Sequence, residues 1–278
     1  MASAPALSDA GRSARAHDPD RFLTALFAPA DRREALFVLI AFNHELVRAL
    51  EMPSARGGIG PIAALIRLQW WREVVEGEPR RHEVAGPLAG MLSEGIYARE
   101  TLLAIIDARE AEAEGIETLQ DWQALQLGGP GGMQVAFGEA LGERDPDVLA
   151  SLRSVGAAYA AGSLLRHHRS ILTAGRCPFP DDLLQRAGSS RDAVLSGGAL
   201  PTDAAILAPL RDAGLGWLRQ AGRLRLGRSR VAAALPAALA RRDLERSPDA
   251  AGALSGRGMG DRLALTAAWL RGSLQGGP

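Results

Sequence analysis

Two stretches of this sequence carry side chains whose types and spacing suit chemistry. His44 and Glu51 stand seven residues apart in a segment of helical character, so they share a face, and His167 lies in a second such segment. Together they form a candidate His-Glu-His set for a transition metal. A histidine beside a cavity is more often a hydrogen-bonded wall residue, and that reading is preferred. Arg48, Arg166 and Arg176 suggest different chemistry, because guanidinium forks match phosphate oxygens and could hold a diphosphate or lipid head group without a metal. Ion pairs within a helical bundle are the plainer assignment for these arginines. Asn43 is the only asparagine in the chain, and it serves either a pocket directly or a buried backbone group. The single cysteine, Cys177, forms neither an internal disulfide nor a thiolate cage, and has no local partner for nucleophilic catalysis.

Helices must position these residues. Asp18 before Pro19 is a helix start, followed by Phe22, Leu23, Leu26 and Phe27 at helical spacing. A longer helix opens at Asp31 and carries Leu36, Leu39, Ile40, Asn43, Leu46, Val47 and Leu50 along one side until Pro53. Pro61 opens a third, bearing the adjacent Trp70 and Trp71, which point about 100° apart, one to the core and the other to a groove. Further helices span Val84 to Tyr97, Arg99 to Glu112, Leu119 to Leu127, Met133 to Leu141 and Pro146 to Leu172, then Asp203 to Leu224, Arg230 to Leu244 and Arg262 to Leu274. Gly128 to Gly132, with Pro130 at the centre, is expected to break a helix; it lacks both the preceding strand and the lysine of a phosphate loop. Sustained period-two alternation is absent, so the fold class is all-α.

Composition narrows the function. The 278 residues include 32 basic and 32 acidic side chains, every basic one an arginine, which reflects GC-rich codons and argues against a nucleic-acid partner. The longest apolar run, Ala35 to Phe42, is far short of the roughly 20 residues of a membrane span, so no transmembrane segment is expected. Arg219, Arg223, Arg225, Arg228 and Arg230 follow one another with no acid between them and are a candidate contact for anionic lipid, although a solvated helix end is the simpler reading. Met1 to His17 is taken as a disordered N-terminus, with the composition of a transit peptide if the source is eukaryotic, ahead of one helical domain at 18–275.

Five stretches in order resemble the squalene/phytoene synthase family, all-helical enzymes that join two isoprenoid diphosphates head to head. They are Asp18 to Glu51, the IRLQWWREVVEG block at Ile66 to Gly77, IIDAREAE at Ile105 to Glu112, Gly156 to Leu184, and the ALPAALARRDL segment. The resemblance implies a single-domain isoprenoid-synthase bundle around a central cavity. It also implies magnesium held by four carboxylates, a hard cation on oxygen ligands that neutralises the departing diphosphate. Here the matching positions of the first aspartate motif are Asn43, His44, Val47, Arg48 and Glu51, and those of the second are Ser163, Arg166, His167 and Ile171. Only Glu51 remains acidic. Were Arg48 to face the ion at about 5 Å, the repulsion would be on the order of 5–8 kcal/mol at an effective dielectric near 20.

The AFNHEL string at Ala41 to Leu46 with RLQWWRE at Arg67 to Glu73 is similar to a non-catalytic branch, a mitochondrial respiratory complex I assembly factor with such a domain. The expectation is therefore a pseudoenzyme with no catalytic residues and no cofactor, whose vestigial pocket comprises Asn43, His44, Val47, Arg48, Glu51, Arg166, His167 and Ile171. Its partners would be complex I subunits or assembly intermediates, and a prenyl diphosphate or anionic lipid. Its location would be the bacterial cytoplasm, peripheral at the inner membrane, or the matrix side in a eukaryote. The alternative is an active magnesium-dependent transferase of squalene, phytoene or hopanoid synthesis.

Overall fold

Side-chain caps start the helices where the sequence places Ser, Thr or Asp before a periodic run. Ser8 accepts from the Gly11 N–H and opens α1 (Asp9–His17), and Asp18 accepts from the Arg21 N–H and opens α2 (Pro19–Ala25) with proline at its first position. Thr118 and Asp121 form a reciprocal capping box at the head of α7 (Leu119–Ala140), and Asp145 with Pro146 opens α8 (Pro146–Thr173). Between these lie α3 (Arg33–Leu50), α4 (Gly60–Glu76), α5 (Ala85–Ser93) and α6 (Arg99–Glu114). After them come α9 (Asp181–Arg186), α10 (Arg191–Leu195), α11 (Ala204–Ala221), α12 (Gly227–Arg230), α13 (Pro236–Leu244) and α14 (Met259–Arg271). The structure, a computed structural model, describes residues 6–50, 60–197, 204–246 and 257–274.

The fold is all-α. A two-residue antiparallel pairing of β1 (Leu224–Arg225) with β2 (Ser273–Leu274) is the only sheet among the described residues, and it ties the segment after α11 to the end of α14. One continuous apolar core runs from Ala10 to Ala268. At its centre α8 packs against α7, α11 and α13. Among the described helices α8 alone is long and apolar enough to cross a membrane, but most of its apolar stretch is buried against those neighbours, as befits a core helix.

Three expectations are corrected. Residues Asp9 to His17, read as disordered, form α1, because Ser8 caps it and the small Ala10, Gly11 and Ala14 let its backbone settle on α3. Gly128 to Gly132 does not break a helix: α7 continues through Pro130. Its glycines serve close packing. A Cβ at Gly132 would lie 2.7 Å from Ile105 of α6, and one at Gly156 of α8 would lie 2.3 Å from the Pro130 carbonyl oxygen. The helix expected from Arg230 to Leu244 is divided by a 3-10 turn at Val231–Ala233 before Pro236 restarts it as α13. Trp71 is buried while the half-buried Trp70 borders a groove with Ile62, Leu65, Ile66 and Gln69, matching the 100° argument.

Candidate functional site

Seven helices, α1, α2, α3, α6, α7, α8 and α14, and the segments that connect them surround a cavity of about 930 Å³. Asn43 and Val47, four residues apart on α3, both line it, and α8 opposes them with Ser163, His167 and Ile171 at the same four-residue spacing. Thus Val47, His167 and Ile171, three of the positions that the aspartate motifs would occupy, line one space. Arg166 and Arg176 also line it.

Arg48 and His44 do not. Arg48 sits one residue past Val47, a turn of about 100° that carries it to the surface, where it pairs with Glu45 at 3.4 Å. The expected repulsion between Arg48 and a bound ion is therefore withdrawn. His44 instead stacks on His17 with ring centroids 3.7 Å apart, and it is His17 that reaches the cavity. Glu51 lies outside the described residues. Among the described residues no three His, Cys, Asp or Glu side chains group as a metal site. Cys177 is buried, and that burial pushes its thiol above the ordinary value, away from a reactive thiolate.

Sequence reasoning missed several residues that dominate the cavity's charge. Arg109 and Glu112 project from α6, three residues apart; Arg109 donates to Glu112 at 2.6 Å and to the Asn43 side-chain oxygen at 3.2 Å. Arg176 donates to the other Glu112 oxygen at 2.9 Å. Burial by itself would raise the Glu112 carboxyl, but Arg109 and then Arg176 outweigh it and hold the group below its ordinary value. The Arg109–Glu112 spacing within the IIDAREAE stretch was a usable signal. It also explains Asn43: the lone asparagine accepts from an arginine in the wall.

A second cluster closes the opposite side. Asp18 both caps α2 and pairs with Arg21 at 2.9 Å, while the Arg21 guanidinium lies 4.7 Å from the centre of the Tyr159 ring. Arg257 bridges Asp20 at 2.6 Å and the fully buried Asp243 at 2.7 Å, and Arg166 reaches Asp243 at 3.4 Å. Burial, and then the positive charges of Arg166 and Arg257, hold His167 below its ordinary value, so it faces the cavity as neutral imidazole.

The chain's sequence pattern matches that of the squalene/phytoene synthases over residues 14–257. The chain belongs to the squalene/phytoene synthase family. Its fold is similar to that of a dehydrosqualene synthase solved in complex with ligand, with TM-score 0.70, 14% identity and 93% of each chain covered. It is also similar to a squalene synthase of Alicyclobacillus acidocaldarius, with TM-score 0.56, 15% identity, and 95% of this chain and 92% of that one covered. A human protein, NADH dehydrogenase (ubiquinone) complex I, assembly factor 6, is 30% identical over 100 residues, which span 34% of this chain and 28% of that protein. Family and fold are thus those of prenyltransferases of the squalene/phytoene synthase type.

The magnesium such enzymes use fits this cavity poorly. Asn43, Val47, Ser163, His167 and Ile171 are not the carboxylate donors that a hard cation selects. The acids that do line the cavity, Asp18, Asp20 and Glu112, are each already paired with arginine.

Proposed function

We propose that this squalene/phytoene synthase relative acts in the assembly of respiratory complex I, and that its cavity holds an anionic isoprenoid or lipid without ionising it. The observation that carries this reading is the cavity's charge. Seven arginines line it against three acids, and no carboxylate stands at the described motif positions facing inward. Magnesium-assisted departure of a diphosphate needs oxygen ligands for the ion, whereas arginine forks alone can bind the same anion at rest. Three buried donors of wall residues, Arg21 Nε, Arg109 Nε and Trp122 Nε1, have no acceptor among the described residues, and a ligand rich in oxygen would supply one. The partial similarity to the human complex I assembly factor supports the cellular role.

Incubating the purified protein with farnesyl or geranylgeranyl diphosphate and magnesium should release no diphosphate; metal-dependent turnover would overturn the reading. Farnesyl diphosphate should raise the melting temperature equally with and without magnesium, because bound ligand stabilises by mass action whichever group holds it. Deleting the gene should lower NADH-dependent respiration and leave carotenoids and hopanoids intact.

One observation favours the alternative, an active head-to-head transferase: the cavity is open rather than filled by large side chains. Under that reading diphosphate release would be magnesium-dependent, and so would the thermal shift.

A further inference from the structure

The outer face of α14 departs from the pattern of a surface helix. Its inner side, Asp261, Leu265 and Ala268, is buried against the bundle. A helix so placed should present polar residues to water. Instead Met259, Leu263 and Leu270 are 71%, 64% and 52% exposed, and with Thr266 they lie within about 60° of one another around the helix. Single exposed apolar residues need no explanation, but three large ones on one face of a 13-residue helix form a patch.

The exposed charges that flank the patch on α14 and β1 are positive, and the one exposed acid nearby among the described residues, Glu245, lies in the groove between α13 and α14 that Arg271 also lines. Arg262 and Arg271 flank the patch on α14, and the β1–β2 pairing brings Arg223, Arg225 and Arg228 beside the helix end. The Arg228 guanidinium lies 5.5 Å from the centre of a Trp269 ring and donates to the Leu270 carbonyl, so this segment is fixed in place against α14. Arg223, Arg225, Arg262 and Arg271 are exposed and make no ion pair with the described residues. The one acid on α14, Asp261, is buried and occupied by Arg242 at 2.6 Å. Arg223, Arg225 and Arg228 of the arginine run thus stand at the rim of an apolar face, whereas Arg230 of the same run pairs with Glu143 at 2.9 Å.

From this we infer that the α14 face docks on the surface of an anionic bilayer, with Met259, Leu263 and Leu270 entering the acyl boundary and the arginines meeting lipid phosphates. An apolar strip rimmed by cations is the arrangement that interfacial helices use. A second copy is a poor occupant, since a two-fold contact through this patch would bring arginine rim against arginine rim. The same face adjoins the cavity, which Arg262 lines from α14 and Leu26 lines just before Phe27, whose ring packs on Trp269. Docking would set that edge of the cavity against the lipid from which an isoprenoid or lipid ligand comes. The inference does not depend on the complex I role or on whether the cavity is catalytic.

Sedimentation of the full-length protein with vesicles tests it. Vesicles of phosphatidylcholine with cardiolipin should retain the protein at low salt, and vesicles of phosphatidylcholine alone should retain far less. Leu263→Glu, at a position too exposed to disturb the core, should lower retention at least tenfold. The pair R225Q/R271Q should lower it about thirtyfold on the anionic vesicles, at roughly 1 kcal/mol per arginine. Melting temperatures within 2 °C of the parent would show that each variant folds. No retention on cardiolipin vesicles, or retention unchanged by both variants, would overturn the inference. So would concentration-dependent dimerisation abolished by Leu263→Glu, which would assign the face to a second copy.

Discussion

Glu112 is the point at which the cavity's charge is held together. Arg109 and Arg176 both rest on it, and replacing it by glutamine leaves two largely buried guanidinium groups facing each other with reduced compensation. E112Q should cost about 2 kcal/mol, or about 5 °C in melting temperature near neutral pH. The pH dependence follows from the sign of the shift. The folded carboxyl is held below its ordinary value, so its contribution is present above that value and lost as pH falls through the folded one. Thermal melts from pH 7 to pH 3 should therefore show E112Q and the parent converging in acid, and a constant gap would argue that Glu112 acts by shape alone. At this scale helical spacing pointed to Asn43 and Val47, and the resemblance to the family's second motif pointed to His167 and Ile171; all four line the cavity. The sequence misled at Arg48 only because two adjacent motif positions were treated as equally inward, when adjacent residues on a helix diverge by about 100°.

The elements were legible wherever a cap and an apolar period coincided, as at Asp18, Thr118 and Asp145. They were illegible at Gly128 to Gly132, because glycine has two uses that look alike in sequence. It can end a helix or let two helices approach, and only the neighbours decide. Here α6 and α8 press on α7 from two sides, and that packing outweighs the roughly 3 kcal/mol that an internal proline costs. The contact is testable from the α8 side. G156A would set a methyl 2.3 Å from the Pro130 oxygen and 2.8 Å from the Gly131 Cα, backbone atoms that cannot turn aside. It should lower stability by about 3 kcal/mol, read as a fall of about 8 °C in melting temperature. Gly90 of α5 supplies the contrast, since nothing lies within 4 Å of its added Cβ. G90A should gain about 0.5–1 kcal/mol from helix propensity, so equal losses in the two variants would refute the packing account.

Across the whole molecule, zero net charge conceals a partition in which arginines collect at the cavity and at the α14 rim. The charges that close the fold are the ones least accessible from sequence. Arg257 grips Asp20 across 237 residues of chain and Asp243 across 14, contacts that no local pattern announces. They join the C-terminal part of the chain to the helix that opens the cavity wall. Removing Arg257 leaves Asp243, wholly buried, with the longer contacts to Arg166 at 3.4 Å and Arg246 at 3.8 Å. R257Q should therefore cost about 3 kcal/mol, at the low end for breaking a buried pair because those contacts remain. Thermal melts near neutral pH check this: R257Q should melt about 6–12 °C below the parent. R257K, which keeps the charge but not the fork that spans Asp20 and Asp243, should recover only part of the loss. A parent-like melting temperature in R257Q would mean that Arg257 does not neutralise these carboxylates, and the ionic closure of the cavity would have to be assigned elsewhere.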